Sequence, residues 1–293
     1  MGYIKVIMKQ ISLAHSPDSD DIFMYYAVKF GWAQGALARF SFENTALDIE
    51  TLNVEALKNT YAATAISFAL YPRIYKEYAL LRCAASFGEG YGPKLVRKKE
   101  KRLRKNFRVA LSGQHTTNAL LFRIAYPDAR VKYYHFMEIE RAVLEGEVDA
   151  GVLIHESILD FDSQLEVERE IWEIWLELSG GDLPLPLGGM AIRRSLVLLD
   201  AIAIEKILIR AVELANSYRP LLCSMLTERN LVRIDGAMLE RYLNMYANAQ
   251  SACLNEIQLK AINKLFEIGY AHGFYPEPIQ AESMLIPAEY EAL

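Results

Sequence analysis

The sequence predicts a two-lobed α/β fold with an interdomain cleft and a helical final third, and three observations carry that prediction. From Gln10 to Gly146 short β-type runs alternate with helical ones, the mark of βα units around a largely parallel sheet. After Gly189 one more strand is followed by helix upon helix from Leu199 onward, so the first lobe is interrupted in sequence by the second. At 293 residues the chain also exceeds the usual size of a single core. The expected division is a discontinuous large lobe, residues 1–92 and 194–293, and a small lobe, residues 93–193.

In chain order, residues 11–14 read as a strand, and the polar loop His15-Ser16-Pro17-Asp18-Ser19-Asp20 leads to a helix over 22–30 capped by Asp20 or Asp21. Residues 40–42 form a second strand, 49–58 a helix capped by Asp48, 63–66 a third strand, 69–75 a short helix and 80–86 a strand. The segment from Gly88 through Gly90 and Gly92 to Pro93 lacks the G-x-G-x-x-G spacing of a dinucleotide loop and reads as a hinge. Strands at 108–111, 131–136 and 150–154 alternate with helices at 117–125 and 139–146. Trp172 and Trp175 fall at helical spacing with Ile171, Ile174 and Leu178 and read as core. A strand over 190–193 leads back to the first lobe.

Composition narrows the function. Lys and Arg number 32 against 37 Asp and Glu, a net charge of −5, so the global field favours neither nucleic acid nor an anionic membrane surface. The basic run from Arg97 to Lys105 has no interleaved aromatics and reads as a solvated connection between strands. Cys83, Cys223 and Cys253 are odd in number and without C-x-x-C spacing, against a disulfide framework and against a zinc site. No apolar stretch approaches the ~18 residues of a membrane span. The N-terminus shows no signal-peptide pattern, Val6 breaks the myristoylation motif, and Met8 is an alternative start. A cytoplasmic protein is the expectation.

Several residues carry chemistry. His155 directly follows the apolar run Gly151-Val152-Leu153-Ile154, which places its imidazole at the carboxyl end of a buried strand, where open α/β sheets bind ligands. It reads as a general base or as a structural histidine. Gly113-Gln114-His115-Thr116-Thr117 joins a strand to a helix and offers hydroxyls and free N–H groups to a carboxylate, although Thr116 as a plain N-cap uses the same chemistry and His115 either donates or caps. Ser67 and Tyr71 after one strand, and Ser16, Asp18, Ser19 and Asp20 after another, line a cleft or serve as turn and cap residues. The five histidines are widely separated and H-E-x-x-H is absent, so neither metal nor cofactor is expected. No G-x-S-x-G elbow is present.

Taken together, the run from His15 to Phe23, Asp48 to Asn53, Gly113 to Thr117, Asp149 to Ser157 and Leu183 to Gly189 resemble the 1,4-dihydroxy-6-naphthoate synthase family of the futalosine route to menaquinone. The resemblance spans nearly the whole chain in the right order. It implies the fold of type II periplasmic binding proteins and a lyase acting on cyclic dehypoxanthine futalosine. It further implies His155 as general base, Thr116 and Thr117 on the substrate carboxylate, and Ser67 from the opposite lobe. Ser16, Asp20, Tyr71, His115 and Gly188 complete the candidate substrate-binding set, and the expected partner is a small carboxylated molecule, with no nucleic acid and no membrane. Two departures stand out: relatives often read Ser-Pro-Cys-Pro-Asn-Asp where this chain has Ser16 to Asp21, and Arg-Phe-Thr-Tyr where it has Ile158 to Phe161. The alternatives are chorismate dehydratase, of the same pathway, and a non-catalytic binding protein for small carboxylates.

Overall fold

The structure, a computed structural model, describes residues 8–33, 39–234 and 236–289. The reading of Met8 as a start concerns residues 1–7, which lie outside the described residues.

Two sheets organise the chain. The first begins with β1 (Lys9–His15), β2 (Phe40–Ala46), β3 (Ala63–Ser67), β4 (Tyr78–Leu80) and β5 (Ser86–Gly88). The second holds β6 (Lys94–Lys98), β7 (Arg108–Leu111), β8 (Arg130–Tyr133), β9 (Ala150–Leu153) and β10 (Leu165–Glu170), after which the chain returns to the first in β11 (Leu185–Arg193). The helices are α1 (Ser19–Lys29), α2 (Ile49–Leu57), α3 (Thr117–Ala125), α4 (Ile139–Glu145), α5 (Ile171–Ser179), α6 (Leu198–Ser217), α7 (Arg219–Glu228), α8 (Gly236–Tyr246) and α9 (Glu256–Ala271).

The first sheet runs β2-β1-β3-β11-β4, with β5 also on β11; β1 is parallel to β2 and β3, and β11 is antiparallel to its neighbours. The second runs β10-β6-β9-β7-β8, parallel in its β9-β7-β8 part. β3 and β9 are buried at every position and carry runs of small and apolar residues, as strands covered on both faces do. The chain crosses between the sheets at residues 89–93 and again at 180–184, which gives two lobes. Residues 185–193, expected in the small lobe, form the ladder of the first sheet with β3, β4 and β5, so the second crossing falls earlier than the sequence suggested.

Other expectations change for physical reasons. The strand expected at 80–86 is broken, because Arg82 donates its N–H to the buried Glu205 (2.8 Å) and Ala84, at φ 54°, donates to the carbonyl of Ser251. The helix expected at 69–75 is a 3-10 helix, Phe68–Arg73, with Pro72 inside it, where the missing N–H suits a short tight turn. The basic run is partly strand. Arg97 lies in β6 and pairs with Glu166 and Glu168 of β10, an edge strand whose charged sequence did not announce it. α1 begins at Ser19, and neither Asp20 nor Asp21 is its cap; Asp18 holds that position without a side-chain capping bond.

The carboxyl ends of β1, β3, β7 and β9 converge on the gap between the lobes: Ser67 is the last residue of β3, and the segments that follow β1, β7 and β9 carry Ser16, Thr116 and His155.

Candidate functional site

A cleft between the lobes is lined by Ser16, Asp20, Ser67, Thr116, Thr117, His155 and Gly188, together with Tyr242 and Tyr246 of α8. Its cavity of about 110 Å³ holds a molecule of many atoms, since a single water needs only ~10–15 Å³. Gly188 lies opposite Ser67 in the β11–β3 ladder, and a side chain there would meet the carbonyl of Ile66 at 2.8 Å, so the floor of the cleft is bare backbone.

His155 opens a 3-10 turn at the end of β9 with φ 55°, a left-handed conformation uncommon outside glycine. That kink turns the ring away from the direction of the strand. Its Nδ1 lies 3.0 Å from Oδ2 of Asp18, and its Nε2 is buried with no hydrogen-bond partner. Phe136 meets the imidazole edge to face at 5.1 Å, and the guanidinium of Arg233 lies over the Phe136 ring, 4.8 Å from its centre. Burial alone lowers the pKa of His155, but the charge of Asp18, its hydrogen bond and the charges of Glu156 and Asp20 raise it to about 9. Asp18 moves the other way: burial pushes its carboxyl up, and His155, Ser16 and Arg233 together hold it below the usual carboxylate value.

Around this pair the acids are sharply differentiated. Asp18 accepts from Ser16 Oγ at 2.7 Å and pairs with Arg233. Glu156, from the second lobe, accepts from the N–H (3.0 Å) and hydroxyl (2.6 Å) of Ser19 and pairs with Arg233 at 2.9 Å. It thereby caps α1 from across the cleft. Asp20 accepts from Ser86 Oγ at 3.1 Å and faces the hydroxyl of Tyr242 at 3.4 Å; burial first, then the neighbouring Asp21 and Asp18, raise its pKa to about 8. Asp21, which accepts from the N–H of Ser16 at 2.7 Å, is raised by burial to about 6.

On the opposite wall, Thr116 is the N-cap of α3, its hydroxyl accepting from Ala119 N–H at 3.3 Å, and the Thr117 hydroxyl donates to the carbonyl of Leu187 at 2.8 Å. Both side chains are thus engaged, and what they leave for an anion is the N–H array of the first turn of α3. Ser67 accepts from Asn53 Nδ2 at 3.0 Å, and its own N–H donates to Asn53 Oδ1 at 2.9 Å, which fixes the residue at the cleft wall. A second interlobe clasp lies beside them: the carboxylate of Glu50 accepts from the N–H groups of Gln114 (2.9 Å) and His115 (3.0 Å). Gly113 has no side chain because one would run into Glu50.

Two of the expected site residues lie elsewhere. Tyr71 is fully buried, donates to the carbonyl of Tyr78 at 2.9 Å and stacks on Phe266, because the 3-10 helix turns it into the core. His115 lines a separate small pocket with Arg73, Arg123 and Phe274, on the far side of Thr116 from the cleft. Conversely, Arg233 and the two α8 tyrosines carry no local pattern that marks them, since they reach the site from the helical final third. Among the described residues no group of three or more His, Cys, Asp or Glu side chains is placed to hold a metal ion, and no helix is long and apolar enough to cross a membrane.

Two α/β lobes joined by two crossings, with the cleft at their strand ends, make this a periplasmic-binding-protein-like fold. The periplasmic aliphatic sulphonate binding protein of Escherichia coli shares it with a TM-score of 0.68 at 12% identity, over 97% of this chain and 94% of its own. A family model described as menaquinone biosynthesis matches residues 11–271, and the chain belongs to that family. The chain is 29% identical to the 1,4-dihydroxy-6-naphthoate synthase of Thermus thermophilus, over 91% of this chain and 96% of the relative. It is likewise 29% identical to that of Streptomyces coelicolor, over 91% of this chain and 95% of the relative. A crystal structure of an Archaeoglobus fulgidus protein is similar at 33% identity and a TM-score of 0.81, covering 90% of this chain and 98% of that one.

Proposed function

We propose that this chain is a carbon–carbon lyase that converts cyclic dehypoxanthine futalosine to 1,4-dihydroxy-6-naphthoate, with His155 as general base. The observation that carries this reading is Nε2 of His155, a buried nitrogen without a partner on a ring that lines the cleft, backed at Nδ1 by a carboxylate. A base requires a nitrogen that, once its own proton is lost, has no competing partner and lies within about 3 Å of the proton it takes. The names of the Thermus and Streptomyces relatives support the choice of reaction.

In this reading His155 removes a hydroxyl proton from the bound substrate, the carbon–carbon bond cleaves as the oxygen lone pair forms a carbonyl, and aromatisation of the departing naphthoate drives the step. The first turn of α3 and Ser67 hold the substrate carboxylate from opposite lobes. The apolar walls, with Ile49, Ile66, Ile154 and Leu187, accept the ring system. Closure over the substrate excludes water and keeps base and hydroxyl in register. The test is incubation of the purified protein with cyclic dehypoxanthine futalosine, followed by chromatography. Formation of 1,4-dihydroxy-6-naphthoate is the expected result. Its absence with a folded protein overturns the reading, and consumption of chorismate instead puts a dehydratase in its place.

A further inference from the structure

We infer that Asp18 is a positioning residue that keeps the proton of His155 on Nδ1 and so leaves Nε2 as the atom that works in the cleft, with Arg233 setting how tightly Asp18 holds that proton. The inference rests on His155 being the base.

Asp18 occupies the N-cap of α1, where an aspartate ordinarily accepts from the N–H groups of the first turn. Here it makes no such bond, and Glu156 supplies the cap from the other lobe. The Asp18 carboxylate is instead almost wholly buried and fixed at both oxygens: Oδ2 takes Ser16 Oγ at 2.7 Å and faces His155 Nδ1 at 3.0 Å, while Oδ1 takes Arg233. A carboxylate held at both oxygens cannot turn away from the imidazole. With Nδ1–H given to Asp18, the proton lost on titration is the one on Nε2, and the lone pair it uncovers has no competing partner.

The ring is held as firmly as the carboxylate. Phe136 packs edge to face on His155 and carries Arg233 over its own face, so one aromatic ring braces both cations of the cluster. The charged groups around His155 are Glu156 on its own turn and Asp18, Asp20 and Asp21 from the first lobe, with Arg233 and Tyr242 of the helical third reaching the same carboxylates: Arg233 those of Asp18 and Glu156, Tyr242 that of Asp20. Of the influences that raise the His155 pKa, the charge of Asp18 is the foremost. Arg233 opposes it by drawing on the same carboxylate. The two neighbours are therefore expected to push the titration of His155 in opposite directions.

The experiment is a titration of the His155 imidazole nitrogens by NMR in the full-length wild type, Asp18→Asn and Arg233→Gln, with the signal assigned by its absence in His155→Ala. The expected midpoint falls by about 1–3 units in Asp18→Asn, because an opposite charge at this range shifts a pKa by that much. It rises in Arg233→Gln, a second variant that keeps the test available if Asp18→Asn folds poorly. Turnover in Asp18→Asn is expected to fall by about 10²–10⁴ in kcat with little change in KM, the size of a lost acid–base arrangement. Unchanged midpoints in both variants overturn the positioning role even where His155→Ala is inactive. Full turnover in His155→Ala overturns the base itself, and Asp18's part in catalysis with it.

Discussion

The left-handed backbone at His155 is the local cost of aiming a side chain. A φ of 55° outside glycine costs on the order of 1–2 kcal/mol, and here it turns the imidazole from the end of a buried strand toward Asp18 and the cleft. The pairing has a consequence for pH. A base works only when unprotonated, and with its pKa raised to about 9 His155 is mostly an imidazolium at neutral pH. The rate should therefore climb as pH increases from 6 toward 9, with no plateau near the ordinary histidine value of about 6.5. A kcat/KM profile checks this, and a plateau already reached at pH 7 contradicts the raised value. His155 was legible in the sequence because the apolar run from Gly151 to Ile154 ends directly on it. Asp18 was legible only as a polar loop residue, and Arg233 not at all: it meets Asp18 across 215 residues of chain, and nothing in its neighbourhood distinguishes it from a surface arginine.

At the scale of elements, α1 shows how the lobes depend on each other. Its N-terminus has an aspartate in the capping position but takes its capping bonds from Glu156 of the second lobe. Glu156→Gln keeps the shape and removes the charge, so Ser19 loses a charged acceptor and Arg233 keeps only Asp18. Stability should fall by about 1–3 kcal/mol, the range for a compromised buried hydrogen bond to a charged group. This will be seen as a lower urea midpoint at an unchanged slope. An unaltered midpoint would mean that Glu156 carries no weight in joining the lobes. The regular elements were readable where pattern and burial agree: β7 and α3 fall at the residues the periodicity predicts. They were unreadable where tertiary partners decide. Glu205 and Ser251 pull Arg82 and Ala84 out of a strand that composition alone supports, and β10, with only Leu165 in the core, is an edge strand whose Glu166 and Glu168 pair across to Arg97.

For the molecule as a whole, the site exists only where the two lobes meet. His155, Glu156 and the α3 N-terminus come from the second lobe, whereas Asp18, Asp20, Ser67 and Arg233 come from the first and its helical extension. The clasps of Glu50 on Gln114 and His115, and of Glu156 on Ser19, join the two lobes beside it. The two-lobed plan was legible because the alternation of strands and helices stops after Gly189 and a helical third follows. The direction of Tyr71 and His115 was not, because it depends on how a 3-10 helix and a loop turn their side chains. The central claim is that this assembly presents one histidine as a base. The measurement that tests it most directly is turnover of cyclic dehypoxanthine futalosine by His155→Ala beside the wild type, with circular dichroism to establish that both are folded. The account predicts a loss of about 10²–10⁴ in kcat with the fold intact; turnover close to that of the wild type would contradict it.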